Sequence, residues 1–399
     1  MSLRTCQISI FFLVFFSFCI ISCSDKADDE GSPIDPDDDA SSDDDDVSPP
    51  DDDNDDNDSS DDDNDTTLDE FCVDGFDTPY GGCIRQIPES GHPGSNGLGM
   101  RSGPDGTLYV IAAKGREIVL YDRVPGDDFW SSYVIARMGT DPDLAIDSNG
   151  ALHVAYTDLW YETVNYATNA SGEWEIDVVD DVGFLNEYGS LDPGAFAAIA
   201  LDADENPHLS YRNFDNNSLR YARRTQDGWS IEEFTTDNYY GYGYATDIEI
   251  DQGGFAHIVH TSLMGELSTT VYFTSNKSGV WRTETIRVGG SSPYLALDRE
   301  GLDHLTYVYT VAGGVLYLRY ATNKSGAWRS YFPDFTQDHA RLAPLSFDSY
   351  GNVHITYYLG TVSDHLLRHV FGSPDAWQIE DLAEETSLNS GIAQVITPD

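Results

Sequence analysis

Short runs of alternating apolar and polar residues fill most of the chain, and they recur at a nearly constant interval. Each run is interrupted by an Asp, and successive marker Asp residues lie 55, 49, 47 and 50 positions apart. The markers are Asp147, Asp202, Asp251, Asp298 and Asp348. A period of two is typical of strands that bury one face. The pattern therefore predicts a repeated β-unit of about fifty residues.

Each repeat contains two hairpin signals. The first is Asp-x-x-Gly, as in 147–150, where the Asp accepts hydrogen bonds from turn amides and the Gly takes a positive φ. The second is Asn-x-Ser-Gly followed by a Trp, as in 169–174, and the Trp begins the next strand. Two hairpins give four strands per repeat, which is typical of a β-propeller blade.

Five clear repeats and a degenerate earlier one at 100–130 predict an all-β, six-bladed β-propeller of four-stranded antiparallel blades. The predicted blades lie near 96–140, 141–194, 195–244, 245–292, 293–341 and 342–391, with a closing strand at 392–399. The segment 83–90 resembles an isolated fourth strand. A solenoid is the alternative, but polar turns in every repeat and the lack of a distinct cap favour a closed ring.

The first 22 residues have the features of an export signal. The apolar run 8–21 is short for a membrane span and suits a signal-peptide core. It ends in Ile20-Ile21-Ser22-Cys23, which resembles the lipobox of bacterial lipoproteins. The resemblance implies removal of 1–22, a lipid on Cys23 and, because Ser24 rather than Asp follows, an outer-membrane or cell-surface location. A secretory signal with an incidental Cys is the alternative.

Residues 23–70 are predicted to be a disordered acidic linker. Positions 25–70 hold 24 acidic residues and one base, so self-repulsion keeps the segment extended. Calcium loops need a Gly turn and ligands at fixed positions, and the Asp and Asn runs of this segment have neither. We predict no cofactor and no metal site beyond calcium ions that the linker attracts loosely.

Two cysteines remain after the predicted lipid site, in the entry segment 71–95. Cys72 and Cys83 are eleven positions apart in an exported protein, which favours a disulfide. A metal pair is the alternative, but no His or further Cys lies nearby at ligand spacing.

The charge balance limits the partners. The chain carries 21 basic and 70 acidic residues, a formal net charge of −49, and residues 71–399 alone carry −27. Binding to nucleic acid needs a basic face and is therefore excluded. The same acidity disfavours sulfated or uronate polysaccharides unless a local basic patch exists.

The repeats resemble the Asp-box (BNR) repeats of sialidase-like propellers, and more loosely those of six-bladed fucose lectins. The closest match to the Asp-box is Ser102-Gly-Pro-Asp105-Gly-Thr-Leu-Tyr109, whereas other copies have Asp-x-x-Gly-x-x-His with the Trp in another hairpin. Sialidases also carry a Phe/Tyr-Arg-Ile-Pro motif. The related stretch 84–88 has an inserted Gln, which turns the following side chains to the other face. The resemblance supports the fold more than an activity.

Two residue types recur in the repeats and are interpreted as structural. The His residues 153, 208, 257, 304 and 354 occupy equivalent positions on separate blades, so packing is favoured over metal binding. The Trp residues 174, 229, 281, 328 and 377 are interpreted as blade core, with one sugar site per blade as the alternative.

The candidate ligand residues lie in the longer connections. The two hairpin types share one face of a propeller, and the longer, variable connections share the other, where binding residues usually lie. Exposed aromatic residues beside Asp and Arg suit stacking on sugars or contact with a protein. The candidates are Trp160, Tyr161, Arg212, Tyr239, Tyr240, Tyr242, Asp338, His339 and Arg341.

These features give two functional hypotheses. The first is a non-catalytic, membrane-anchored module that binds a glycan or an envelope or extracellular protein. The second is a carbohydrate-active enzyme, either a glycosidase of the sialidase-like kind or a polysaccharide lyase. Arg, Tyr and two carboxylates clustered around the central channel would favour the enzyme.

Overall fold

The computed structural model consists of β-strands and turns, and its described residues contain no α-helix. It describes residues 18–22, 76–77, 83–86, 98–127, 129–158, 160–183, 197–235, 245–264, 268–311, 314–336, 340, 342–361, 364–385 and 392–396. Across these ranges there is no helix of the length and apolar character needed to cross a membrane. Cys23, the linker and Cys72 lie outside them, so lipidation and the disulfide remain predictions.

Three short strands precede the repeats. They are β1 (Phe18–Ser22), β2 (Phe76–Asp77) and β3 (Cys83–Gln86). Blade 1 follows with β4 (Leu98–Ser102), β5 (Leu108–Lys114), β6 (Glu117–Arg123) and β7 (Ser131–Ala136). Blade 2 contains β8 (Gly139–Ile146), β9 (Leu152–Asp158), β10 (Thr163–Thr168) and β11 (Glu175–Asp181). Blade 3 contains β12 (Ala198–Leu201), β13 (Pro207–Asn213), β14 (Ser218–Thr225) and β15 (Gly228–Phe234).

The second half of the chain repeats this arrangement. Blade 4 contains β16 (Thr246–Ile250), β17 (Ala256–Met264), β18 (Ser268–Ser275) and β19 (Arg282–Val288). Blade 5 contains β20 (Gly290–Leu297), β21 (Asp303–Thr310), β22 (Leu316–Thr322) and β23 (Arg329–Tyr331). Blade 6 contains β24 (Leu345–Phe347), β25 (Val353–Thr361), β26 (Asp364–Ser373) and β27 (Ala376–Glu385). The last strand is β28 (Ile392–Ile396).

The six blades confirm the predicted propeller. Each blade is a four-stranded antiparallel sheet in sequence order. The first strand of each blade contacts the first strand of the next, from β4 through β8, β12, β16 and β20 to β24. The first strands are therefore innermost and surround a central channel.

A further sheet stands between blades 6 and 1. Its strand order is β2-β3-β1-β28, and β28 contacts both β24 and β4, so a C-terminal strand completes the inner ring. β1 is parallel to β28, unlike any pair within the six blades. β3 is the third strand of this sheet rather than the isolated fourth strand expected from 83–90. β1 belongs to the predicted signal peptide, so cleavage before Cys23 would remove it.

The marker Asp fixes the first hairpin of the blade, as blade 3 shows. Oδ1 of Asp202 accepts hydrogen bonds from the backbone N–H groups of Asp204 at 3.0 Å and Asn206 at 2.9 Å. The left-handed residue of this turn is Glu205, with φ 64°, where other blades have glycine such as Gly150 with φ 85°. The carboxylate therefore holds the turn closed even where a non-glycine residue occupies the left-handed position.

The recurring His joins this turn to the rest of the blade. In blade 3, Nε2 of His208 lies 3.2 Å from Oδ2 of Asp202, and Nδ1 lies 2.6 Å from the hydroxyl of Tyr221. The Tyr221 ring meets the edge of Trp281 in the next blade, with centroids 5.0 Å apart. Burial lowers the pKa of His208, so the imidazole is neutral at pH 7. His and Trp thus connect turn, strand and neighbouring blade.

The same contacts recur around the ring, with different partners in two blades. Tyr166 meets Trp229, Phe273 meets Trp328 and Tyr320 meets Trp377, each edge to face across a blade boundary. In blade 4, where Phe273 has no hydroxyl, Nδ1 of His257 lies 2.5 Å from Oδ1 of Asp303 in blade 5. In blade 6 the partner is His369. The recurring His residues are buried among these contacts, as the packing interpretation expects.

Replacement of Asp202 by Ala is expected to lower the free energy of unfolding by about 2 kcal/mol, because two turn amides and His208 lose their acceptor. Asp204→Ala, in the same turn but exposed, should change it by less than about 0.5 kcal/mol. Urea denaturation followed by tryptophan fluorescence measures both. Equal effects would show that the carboxylate of Asp202 does not hold the blade together.

Candidate functional site

The longer connections of the blades share one face, which we name the variable face. It carries the links between the second and third strands of each blade and between consecutive blades, since alternate connections of antiparallel strands lie on opposite sides. Six of the predicted ligand residues lie outside the described residues, and their placement stays a prediction. They are Tyr239, Tyr240, Tyr242, Asp338, His339 and Arg341.

Trp160 and Tyr161 project from a tight turn on this face in blade 2. Oδ1 of Asp158 accepts hydrogen bonds from their backbone N–H groups at 2.8 and 2.9 Å. Glu162 follows with φ 63°, and its carbonyl oxygen accepts from Val182 N–H at 3.0 Å. The backbone is therefore fixed while the two aromatic side chains remain 69% and 72% exposed.

Arg212, the third predicted ligand residue that the structure describes, lies near the end of β13. Its side chain is buried, Nη2 donates to Oδ1 of Asn217 at 2.5 Å, and the guanidinium lies over the Phe214 ring at 4.9 Å. Arg212 therefore supports the connection between β13 and β14 from within.

The boundary between blades 2 and 3 is filled by a charged cluster that we name the Arg plug. Arg220, the residue before Tyr221, donates to Asp180 of blade 2 at 2.6 Å and to Glu233 on the adjacent strand at 2.8 Å. The hydroxyl of Tyr211 donates to the same Asp180 carboxylate at 2.8 Å. The Arg is held between two carboxylates, which satisfies its charge in a partly buried place.

The boundary between blades 5 and 6 has the same plug. Arg368 donates to Asp334 of blade 5 at 2.8 Å and to Asp381 on the adjacent strand at 2.6 Å, and Tyr357 also donates to Asp334. Burial by itself would raise the pKa of Asp334, but hydrogen bonds from Thr336, Tyr357 and Arg368 hold it below its usual value.

At the boundary between blades 1 and 2, all three charged positions of the plug are replaced. Asn165 stands before Tyr166 where the plug has Arg, and Val178 faces Asn165 across the strand pair. Ala136 lies six residues after Trp130. In blades 2 and 5 the residues six positions after the blade Trp are Asp180 and Asp334. The smaller, uncharged side chains leave a groove of about 550 Å³.

The groove combines apolar walls with a polar floor and rim. Its walls are formed by Val134, Ile135, Ile176 and Val178, and its floor includes Tyr156, Thr163 and Asn165. Tyr161, Asp158 and Arg137 complete the lining. An apolar cleft with a few polar groups and an aromatic side chain is typical of small-molecule and sugar sites.

Sequence reasoning found Tyr161 but missed the groove itself. The signal lay in the aligned repeats, where Arg220, Arg319 and Arg368 share one position and blade 2 has Asn165. The meaning of that substitution depends on residues from the preceding blade, which no single repeat contains.

A second group of polar residues faces the central channel. The innermost strands present Asp143 and Asp247 at the position four residues before the marker Asp, together with Tyr294 of blade 5. Arg101 of blade 1 occupies the position equivalent to Asp143 and Asp247. Glu249 lies two residues beyond Asp247 along β16. Arg101 Nη2 lies 3.8 Å from Oδ1 of Asp143.

The two aspartates also join neighbouring blades. Oδ2 of Asp143 accepts from Ile199 N–H at 2.9 Å, and Oδ2 of Asp247 accepts from Leu295 N–H at 2.8 Å. Each carboxylate therefore links its own innermost strand to that of the next blade, which contributes to holding the ring.

Two of the channel acids have strongly raised pKa values. Burial, with the charge of Asp143, raises the pKa of Asp247 to about 7, although Arg101 and backbone amides oppose the rise. Burial, with the charge of Asp247, raises the pKa of Glu249 to about 8. The charge of Arg101 in blade 1 lowers the pKa of both acids of blade 4, so the three groups lie within electrostatic range although blades 1 and 4 do not adjoin.

The innermost strands therefore carry Arg101, Tyr294 and carboxylates, the combination that would favour the enzyme hypothesis, and Tyr294 also packs against the core of blades 5 and 6. Perturbed acids in a shared space are candidates for proton transfer. In the portions of the chain that the structure describes, no three His, Cys, Asp or Glu side chains are grouped to hold a metal ion.

No known protein family and no curated protein matches the sequence. Among solved structures, the chain is similar to an ulvan lyase presented as a new family of polysaccharide lyase, with a TM-score of 0.56 and 12% identity over 76% of this chain and 86% of that one. The lyase bound to a glucuronate and sulfated-rhamnose saccharide gives the same values. The SapL1 lectin in complex with α-methyl fucoside has a TM-score of 0.46 and 14% identity over 72% and 96% of the two chains. At 12% identity the likeness to the lyase shows a shared fold.

The channel acids predict a pH-dependent stability. Because the folded chain holds a proton on Glu249 that the unfolded chain releases near pH 4, the contribution of Glu249 to the free energy of unfolding should fall as the pH rises from about 4 to about 8. Glu249→Gln should weaken this fall by more than about 1.4 kcal/mol, the equivalent of one pKa unit. Urea denaturation at pH 4.5 and 8.5 measures the difference, with the exposed Glu284→Gln as control. Parallel profiles for wild type and Glu249→Gln would refute the raised pKa.

Proposed function

We propose that the protein is a membrane-anchored propeller that binds a glycan through its variable face, with the groove between blades 1 and 2 as the principal site. The observation that carries the proposal is the replacement of the Arg plug by Ala136, Asn165 and Val178, which opens about 550 Å³ beside Tyr161. The equivalent boundaries before blades 3 and 6 are occupied by charge pairs.

The chemistry of the groove suits a sugar ring. A pyranose has apolar C–H faces that stack on aromatic rings and hydroxyl groups that need hydrogen-bond partners. Tyr161 and the neighbouring Trp160 offer exposed rings, the valine and isoleucine walls accept C–H groups, and Asp158, Arg137 and Asn165 offer polar atoms. Because the turn at Asp158 already fixes the aromatic backbone, binding orders less of the protein.

The fold comparison supports the same ligand class. The similar lyase carries a saccharide in one of its structures, so this propeller fold accommodates glycans. We further propose that Cys23 carries the lipid and that the acidic linker separates the propeller from the outer membrane, where the ligand would be an extracellular or envelope glycan. An envelope or extracellular protein is the alternative partner.

The main test fills the groove. Asn165→Arg together with Val178→Glu recreates the Arg220–Glu233 pair of blade 3 and should weaken glycan binding at least about tenfold, whereas Asn165→Ala keeps the groove open and should retain most affinity. The measurement is binding of the full chain to an array of starch, xylan, mannan, alginate, pectin and chondroitin sulfate, followed by titration of the polysaccharides that bind.

Trp160→Ala is the second variant in this experiment, since it leaves the groove intact and removes an exposed ring. If Asn165→Arg/Val178→Glu binds as tightly as wild type while remaining folded, the groove is not the site. If no glycan binds the wild-type protein, the protein-partner alternative takes its place.

The channel supports a second candidate, cleavage of the bound glycan. The pKa values of Asp247 and Glu249 lie near neutral pH, so one acid in its protonated form is able to protonate the glycosidic oxygen as the bond from that oxygen to the anomeric carbon breaks. The other, as a carboxylate, takes a proton from the water that adds to the anomeric carbon. Tyr294 and Arg101 provide further polar contacts in the same channel.

We expect the rate of glycan cleavage to depend on the channel acids and not only on the side chains of the groove. Incubation of the bound polysaccharide with the protein should release reducing ends, and Glu249→Gln and Asp247→Asn should each lower the rate by about 100-fold or more without loss of binding. A rate unchanged in both variants, or no product from any polysaccharide that binds, would leave a purely binding role.

A further inference from the structure

The boundary between blades 4 and 5 departs from the Arg plug in a different way. Arg319 precedes Tyr320 and so has the place of Arg220 and Arg368. The residue four after the blade Trp is Phe332, where the plug has Glu233 or Asp381. The preceding blade contributes Arg287 at the place of Asp180 and Asp334. Both carboxylates of the plug are therefore absent here, and a second guanidinium is present.

Aromatic rings hold both guanidinium groups in place. Arg319 lies over Phe332, 3.6 Å from the ring centroid, and Arg287 lies over Tyr309 at 3.9 Å. Tyr317 is opposite Tyr309 across the strand pair and meets the Phe332 ring edge to face, with centroids 5.9 Å apart. The two stacks therefore lie side by side on neighbouring strands.

The stack on Phe332 continues to the exposed ring of Phe335. Phe335 stacks on Phe332 with centroids 5.1 Å apart and is 74% exposed. The loop that carries it is fixed by Asp334, whose Oδ1 accepts from Thr336 N–H at 2.7 Å. Phe335 belongs to the connection between blades 5 and 6, so it lies on the variable face.

The charge of the two Arg residues has no carboxylate partner among the residues that the structure describes. The hydrogen bonds of Arg319 run to the neutral Oγ of Ser330, at 3.1 and 2.9 Å. No described Asp or Glu oxygen lies within 4.0 Å of either guanidinium. In a chain of net charge −49, this is a local basic patch on an acidic molecule.

We propose that Arg287, Arg319 and Phe335 form a second subsite that binds a carboxylate- or sulfate-bearing unit of a glycan. The guanidinium groups bind the anionic group by charge-assisted hydrogen bonds, and the Phe335 ring stacks on the sugar that carries it. Stacking on Phe332 and Tyr309 orients both guanidinium groups before the ligand arrives. The inference rests on the proposed glycan-binding function and names its ligand class as acidic glycans.

The experiment compares each acidic polymer with its neutral counterpart on the full chain. The probes are polygalacturonate against its carboxyl-reduced form and chondroitin sulfate against its desulfated form. At least one native polymer should bind at least about tenfold more tightly than its counterpart. Arg287→Gln and Arg319→Gln should each remove most of this preference.

Arg282→Gln is the matched control, since it removes the same charge from the same strand, β19, away from the aromatic stack. Phe335→Ala tests the stacking contact without a change of charge. Thermal melting confirms that each variant is folded.

The outcomes separate this inference from the proposed function. Equal binding of acidic and neutral polymers, abolished by Asn165→Arg/Val178→Glu, would retain the groove and overturn the acidic subsite. If Arg282→Gln loses as much of the preference for acidic polymers as Arg287→Gln does, the preference depends on net charge alone, and the acidic subsite is also overturned. If neither acidic nor neutral polymer binds, the subsite and the proposed function both fail. Selectivity between sulfate and carboxylate polymers would identify which anion the subsite binds.

Discussion

The hydrogen bonds of the marker Asp are the interaction on which the propeller depends. In blade 3 one oxygen of Asp202 closes the first hairpin, and the other holds His208, which in turn meets Tyr221. The Tyr221 ring packs on Trp281 of the next blade. A single short side chain thus links turn, blade and ring, and because the imidazole is neutral the link buries no cationic group. Repetition of this unit explains why loops on the opposite face are able to vary.

Because the repeats are regular, a residue that differs from its equivalents in the other blades points to a local difference in structure. Two boundaries are filled by an Arg between two carboxylates, held by Arg220 and by Arg368. A third loses all three charges and opens into a groove floored by Asn165. A fourth keeps Arg319 and adds Arg287 in place of a carboxylate, with aromatic rings beneath both. One structural position therefore provides a rigid seal, an apolar cleft or a cationic surface, according to the side chains that two neighbouring blades contribute.

The central channel differs from these boundaries, because charged side chains from non-adjacent blades influence one another there. Asp143 and Asp247 stabilise the ring by accepting amides of the next blade, and the confined space raises the pKa of Asp247 and Glu249. Asp247 thus belongs to both groups, since it accepts an amide of the next blade and has a raised pKa. Any chemistry in the channel would be linked to the stability of the ring, since both depend on protonation of one cluster.

The repeat in the sequence determined the blade count, the two hairpin types and the structural role of the His and Trp series, because period-two alternation and turn chemistry are local properties. It also placed Trp160 and Tyr161 on an exposed turn. Tertiary structure decided what no repeat contains: that the predicted closing strand stands between β24 and β4 with β1 beside it, that Arg212 is buried, and that Arg101 lies within electrostatic range of Glu249. The groove at Asn165 and the basic surface at Arg287 belong to the same group, since each forms only where two blades meet. Local sequence specifies a blade, whereas sites between blades depend on residues far apart in the chain.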